Sequence, residues 1–122
     1  MSLPVTIVEG VLGLAFLGAG GSKLMGVKMH VENFQRWGYP QWFRSVTGAV
    51  EVVGGVGMLA GIGLRWLGPL AGLWLTATML GAVLTHVRAH ESVGKMAPAA
   101  VLLVLALVVV VLGWPSLSQQ FA

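Results

Sequence analysis

The sequence predicts an all-α membrane protein, a polytopic transmembrane four-helix bundle with a short interfacial helix between helices one and two. Three observations lead there. Of the 122 residues, 57% are hydrophobic and 9% charged, whereas a soluble domain carries about 25% charged residues. The apolar residues gather into four blocks, each near the 20 or so helical residues that cross a hydrocarbon core of about 30 Å. The basic residues lie between the blocks. Strands are disfavoured, because no segment shows the ten-residue alternation of a membrane barrel.

The spans are expected at about residues 3–21, 42–64, 66–87 and 96–114, in a single domain of residues 1–122. Pro4, Pro69 and Pro98 fall in a first helical turn on this reading, where a missing N–H does no harm. Pro115 follows the fourth span and is expected to help end it. Gly63, Leu64 and Arg65 alone separate the second and third spans, which predicts a tight hairpin. Between the first and second spans, Val27, Val31 and Phe34 alternate at helical spacing with Lys28, Glu32 and Arg36. That pattern predicts an amphipathic helix lying in the interface, ended near Gly38, with Pro40 holding Tyr39 out of the helical region.

Charge sets the expected orientation. Lys23, Lys28, Arg36, Arg44, Arg88 and Lys95 flank one side and Arg65 alone the other. The positive-inside rule then places both termini outside the cytoplasm. Composition also excludes several functions. Cysteine is absent, which removes disulfides, thiolate metal sites and redox dithiols. No basic run or aromatic-interleaved basic patch suits nucleic acid. A cleaved signal peptide is not expected, since the N-terminus lacks Lys and Arg and Glu9 interrupts its apolar block.

The candidate chemistry centres on Glu51, in the stretch GAVEVVGGVGMLAG. A charged side chain at a helix centre costs about 2.5–3.5 kcal/mol on insertion scales, so it ordinarily faces a bundle interior and finds a partner. Glu51 is about nine residues into its helix, roughly 13 Å deep, with Thr47, Gly48, Gly54, Gly55 and Met58 on its face. Its plainer reading is a carboxylate that fixes packing. Lys23 ends the first span and His86 the third, so alternation of direction puts Lys23, Glu51 and His86 in one half of the membrane, able to share a pocket. Taken singly, Lys23 reads as a snorkelling lysine and His86 as an interfacial histidine. His90 is one turn beyond His86, but without a clear third ligand no metal site is expected. His30 and Glu91 are expected in solvated loops, and Glu9 near water in the opposite half. Gly57 with Gly61, and Gly68 with Gly72, form small-xxx-small pairs that suit close packing within the bundle or in a homodimer.

Four pieces carry a family resemblance: GAGGSKL at 18–24, FQRWGYPQWF at 34–43, GAVEVVGGVGML at 48–59 and MLGAVLTH at 79–86. In their order and spacing the chain resembles the DoxX-like family of small four-helix membrane proteins. The resemblance implies a bundle whose shared polar positions are Lys23, Glu51 and His86, with Tyr39 and Pro40 in the connecting stretch. Some members of the family are linked to membrane redox systems, including thiosulfate:quinone oxidoreductase, and an animal relative is an assembly chaperone for receptor channels.

The expected function is an accessory or assembly subunit with a polar intramembrane pocket for a lipophilic ligand, a quinone or lipid. Lys23, Tyr39, Thr47, Glu51 and His86 would line that pocket. The alternative is a small membrane enzyme, an isomerase or cyclase, with Glu51 as acid or base and His86 as its partner. A second alternative is a proton- or solute-coupled transporter, disfavoured by the short chain without an obvious inverted repeat. No other cofactor is expected. Expected partners are membrane lipids, a redox or other membrane protein, and a second copy. The expected location is the plasma (inner) membrane of a prokaryote.

Overall fold

The computed structural model describes residues 3–121. Its helices are α1 (Leu3–Leu24), α2 (Lys28–Trp37), α3 (Gln41–Ala60), α4 (Leu67–Arg88) and α5 (Val93–Gln120), with no strand among the described residues. All but α2 are long and apolar enough to cross a membrane. The chain is an all-α integral membrane protein, as its composition predicts.

Successive spans run antiparallel. α1 packs chiefly on α3 and α4 chiefly on α5, and the two pairs join along α3 and α4. Lipid tails are as apolar as leucine, so close backbone packing must supply much of the cohesion between helices. Glycine provides it here: Gly13 and Gly55 bring α1 and α3 together, Gly54 receives Leu75 of α4, and Gly72 receives Val110 of α5. The buried centre comprises Leu12, Phe16, Met58, Ala71, Leu75, Met79, Ala99, Ala106 and Val109. About a third or less of each span's apolar stretch is buried within the chain, so much of the bundle's surface is left for lipid. The glycine pairs considered for a dimer seam are spent internally: Gly61 packs on Gly68, Gly57 near Ala71, and Gly72 against Ala106 and Val110.

α2 forms where its amphipathic pattern places it. Phe34 is buried, while Lys28, Glu32 and Arg36 are exposed. Gly38 ends it in the left-handed region at φ 81°. Its N–H donates to the Gln35 carbonyl at 3.1 Å, and the Tyr39 N–H donates to the Phe34 carbonyl at 2.9 Å, an arrangement that glycine adopts without strain.

Three helix ends differ from expectation. α3 stops at Ala60, so residues 61–66 make a longer turn than the three expected. Gly61 and Gly63 explain the early stop, since glycine is among the weakest helix formers. α5 starts three residues before the expected 96, because Ser92 caps it by accepting from the Lys95 N–H. Pro98 therefore sits in the second turn rather than the first. Pro115 does not end α5, which continues to Gln120. The ring denies an N–H to the Val111 carbonyl, but packing holds the last turns: Leu117 is buried and Phe121 meets Trp66 edge-on, with ring centroids 5.7 Å apart.

Candidate functional site

The intramembrane ion pair is built by α1 and α3. A Cβ at Gly20 would lie 2.6 Å from the Gly48 carbonyl oxygen, so the backbones touch there. One turn further along each helix, Lys23 Nζ reaches Glu51 Oε1 at 2.8 Å. The side chains are 14% and 3% exposed respectively. Lys23 belongs to the last turn of α1, where a cation also complements the helix dipole. The Arg44 guanidinium donates to the Lys23 carbonyl and so covers the end of α1. Thr47 spends its hydroxyl on the Phe43 carbonyl of its own helix at 2.8 Å.

The expected meeting of Lys23, Glu51 and His86 in one pocket does not form. His86 Nδ1 lies 2.7 Å from Glu91 Oε1, and the carboxylate can only accept, so Nδ1 carries the proton. The turn after α4 folds back on itself to allow this: His90 adopts φ 56° and the Glu91 N–H donates to the His86 carbonyl at 3.0 Å. Because the helix ends at Arg88, His90 does not continue the face of His86. No cluster of three His, Asp or Glu side chains suits a metal among the described residues.

Glu91 is not the solvated loop residue expected; its side chain is 5% exposed. Oε1 also accepts the Trp37 indole N–H at 2.9 Å, Oε2 accepts from Arg36 Nη2 at 2.5 Å, and Lys95 Nζ lies 3.8 Å from Oε2. Burial alone would raise this carboxyl, but hydrogen bonds from Trp37, His86 and Arg36, with the Arg36 charge, hold it below its usual range. One carboxylate thus ties α2 to α4 and α5. Beside it, Tyr39 meets Thr85, their hydroxyl oxygens 3.0 Å apart. Thr85 gives its own proton to the Gly81 carbonyl, so Tyr39 is the donor. Arg88 stacks over the Tyr39 ring at 4.7 Å and donates to the Trp37 carbonyl at 2.6 Å. A signal for this rim was present in the sequence: Glu91 is the one acid among His86, Arg88, His90 and Lys95.

His30 lies in α2 rather than in a loop and is half-buried. Its Nε2 lies 2.9 Å from Ser22 Oγ, which donates in turn to the Ala19 carbonyl at 2.9 Å. Burial, then the charges of Lys23 and Arg44, lower its affinity for a proton. The five residues expected to line one pocket therefore separate. Lys23 and Glu51 pair between α1 and α3, Tyr39 and His86 belong to the rim, and Thr47 closes on its own helix. No hydrogen bond or ion pair joins the pair to the rim among the described residues.

A groove of about 520 Å³ lies elsewhere, between α3 and α4, lined by Val53, Gly54, Gly57, Leu67, Leu70, Ala71, Leu73 and Trp74. None of these side chains titrates. The Trp74 indole N–H is already given to the Val50 carbonyl at 2.9 Å. Glu9, expected near water, is instead 1% exposed.

Residues 7–109 match the DoxX-like family, a stretch that takes in the ion pair, the rim and the groove. The chain belongs to the DoxX-like family. This DoxX-like protein is 33% identical over 108 residues to YdgD, an uncharacterised protein of Bacillus subtilis (strain 168), covering 87% of this chain and 95% of the relative. No solved structure matches it.

Proposed function

We propose that this DoxX-like protein is an accessory subunit of the plasma membrane that holds a long apolar chain in the groove between α3 and α4. The occupant is a lipid acyl chain or the isoprenoid tail of a quinone. The observation that carries this reading is the lining of the groove: eight residues without a titratable group, facing the bilayer, with the one indole donor already engaged. A quinone head group needs hydrogen-bond donors and finds none free there, whereas a hydrocarbon chain needs only apolar contact.

The closed state of the ion pair favours binding over proton-transfer catalysis at Glu51. Its Oε1 sits 2.8 Å from Lys23 Nζ with both side chains largely buried, so the carboxylate fixes α1 to α3. The rim of Arg36, Trp37, His86 and Glu91 anchors α2 at the interface.

Native mass spectrometry from mild detergent, with lipid analysis of what co-purifies, tests the proposal. Val53 is 58% exposed at the groove's edge, so Val53→Trp fills the groove without disturbing the core. Wild type is expected to retain a lipid or quinone that Val53→Trp loses. Identical adducts on both proteins would overturn the groove as the site.

A further inference from the structure

Glu9 is a second intramembrane carboxyl with surroundings unlike those of Glu51. It is 1% exposed, and neither carboxyl oxygen has a hydrogen-bond partner. It sits in the half of the bundle opposite the Lys23 and Glu51 pair, where the end of α3 turns into α4. A Cβ at Gly68 would lie 2.8 Å from Glu9 Oε2, and one at Gly61 would lie 3.0 Å from it. Glycine at both positions is what allows the carboxyl to enter the junction.

Among the described residues no cation answers it. The end of α3 presents Gly61 and the start of α4 presents Gly68. Arg65, in the turn between them, is exposed and makes no ion pair with Glu9. α5 brings no titratable side chain to this half; its charged residue, Lys95, is at the other end. A carboxylate without donors or a counter-charge in an apolar interior is among the most costly arrangements a protein can hold. Some ligand must therefore complete it. Not even a methyl group fits without strain between either glycine and Oε2, which leaves little volume for a hydrated ion on that side. A proton is the ligand that needs no volume.

We propose that Glu9 is a proton-binding site, the exchangeable acid of this membrane domain, loaded from the side of the chain termini. Glu9 is roughly 9 Å along α1 from Leu3, about two turns from that surface. Glu51 has its cation built in and Glu9 has none among the described residues, so the exchangeable proton is assigned to Glu9. The step is simple addition and release, carboxylate plus proton giving the carboxylic acid, with no bond to carbon changed. This site is independent of the groove, and either can fail without the other.

Two measurements on the full chain in nanodiscs test it. The first is infrared spectroscopy. A wild-type minus Glu9→Gln difference spectrum is expected to contain a carboxylic-acid carbonyl band that shifts on exchange into deuterium oxide, and Glu51→Gln is expected to keep that band. Absence of a Glu9-dependent acid band across an acid-to-alkaline titration overturns the proposal. The second uses dicyclohexylcarbodiimide, which modifies protonated carboxyls in apolar surroundings, and needs no variant. Peptide mapping of wild type is expected to find the adduct on Glu9, with labelling that falls as pH rises. An adduct on Glu51 with Glu9 unmodified, or protection of Glu9 by sodium at fixed pH, would overturn the assignment to a proton.

Discussion

Gly20 and Gly48 occupy each other's side-chain space. A Cβ on Gly20 would lie 2.6 Å from the Gly48 carbonyl oxygen, and one on Gly48 would lie 2.8 Å from the Gly20 carbonyl oxygen. This mutual approach brings α1 and α3 close enough for Lys23 to reach Glu51. The pair is a consequence of two missing methyl groups one turn away.

Adding those methyl groups tests the idea. Gly20→Ala is expected to destabilise the protein by about 1–3 kcal/mol, the usual cost of overpacking. Gly18→Ala is the control, since nothing lies within 4 Å of a Cβ there. It should be neutral, or stabilising by up to about 1 kcal/mol through helix propensity. Thermal unfolding in detergent separates them, and equal melting temperatures for the two variants would refute the close-contact account.

The ion pair itself predicts strong coupling. Removing one member strands the other in the membrane, which typically costs about 3–5 kcal/mol for a buried pair. Lys23→Met and Glu51→Leu should each destabilise by that order. The double variant, with no charge left to strand, should recover much of the loss. Additive single effects in the double-mutant cycle would mean that the two side chains do not depend on each other.

Acid should loosen α2 before it affects the spans. The His30 proton affinity is lowered in the fold from 6.5, so the unfolded chain binds the proton more readily. The stability His30 contributes is full above its unfolded value and drains away as pH falls below it. Glu91 is likewise held below 4.5. Its contribution is present above that value and is lost as pH falls through the lower, folded one. Both act in the same direction, so hydrogen exchange in α2 is expected to rise in two stages on acidification. Glu91→Gln should weaken the second stage and leave the first. Exchange in α2 that does not vary with pH would show that neither group holds it.

The spans were legible because length and apolarity alone decide whether a helix can cross a bilayer. Their ends were less so. Ser92 extends α5 backwards by a local cap, and Leu117 and Phe121 carry it beyond Pro115 through contacts that no periodicity encodes. For the site, alternation of direction sorted Lys23, Glu51 and His86 into one half of the membrane. It could not choose between neighbours there. Lys23 met Glu51 because glycines cleared the way, whereas His86 found Glu91 only five residues on, once His90 turned the chain left-handed. Glu9 was misplaced because depth along a helix says nothing of what the turn between α3 and α4 lays over it.

Topology is open to a direct measurement. Six Lys and Arg residues gather at the end of the bundle that holds α2, against Arg65 at the other. A C-terminal reporter active only outside the cytoplasm should therefore be active, and one active only inside should be silent. The reverse result would show that Arg65 outweighs the six.

The placement of the carboxylates also bears on how the chain is made. α3 is the least apolar of the four spans, and it carries Glu51. Its counter-ion resides on α1, which is synthesised before α3. The weakest span therefore depends for its one buried charge on a helix that precedes it in the chain, and not on α4 or α5, which follow it.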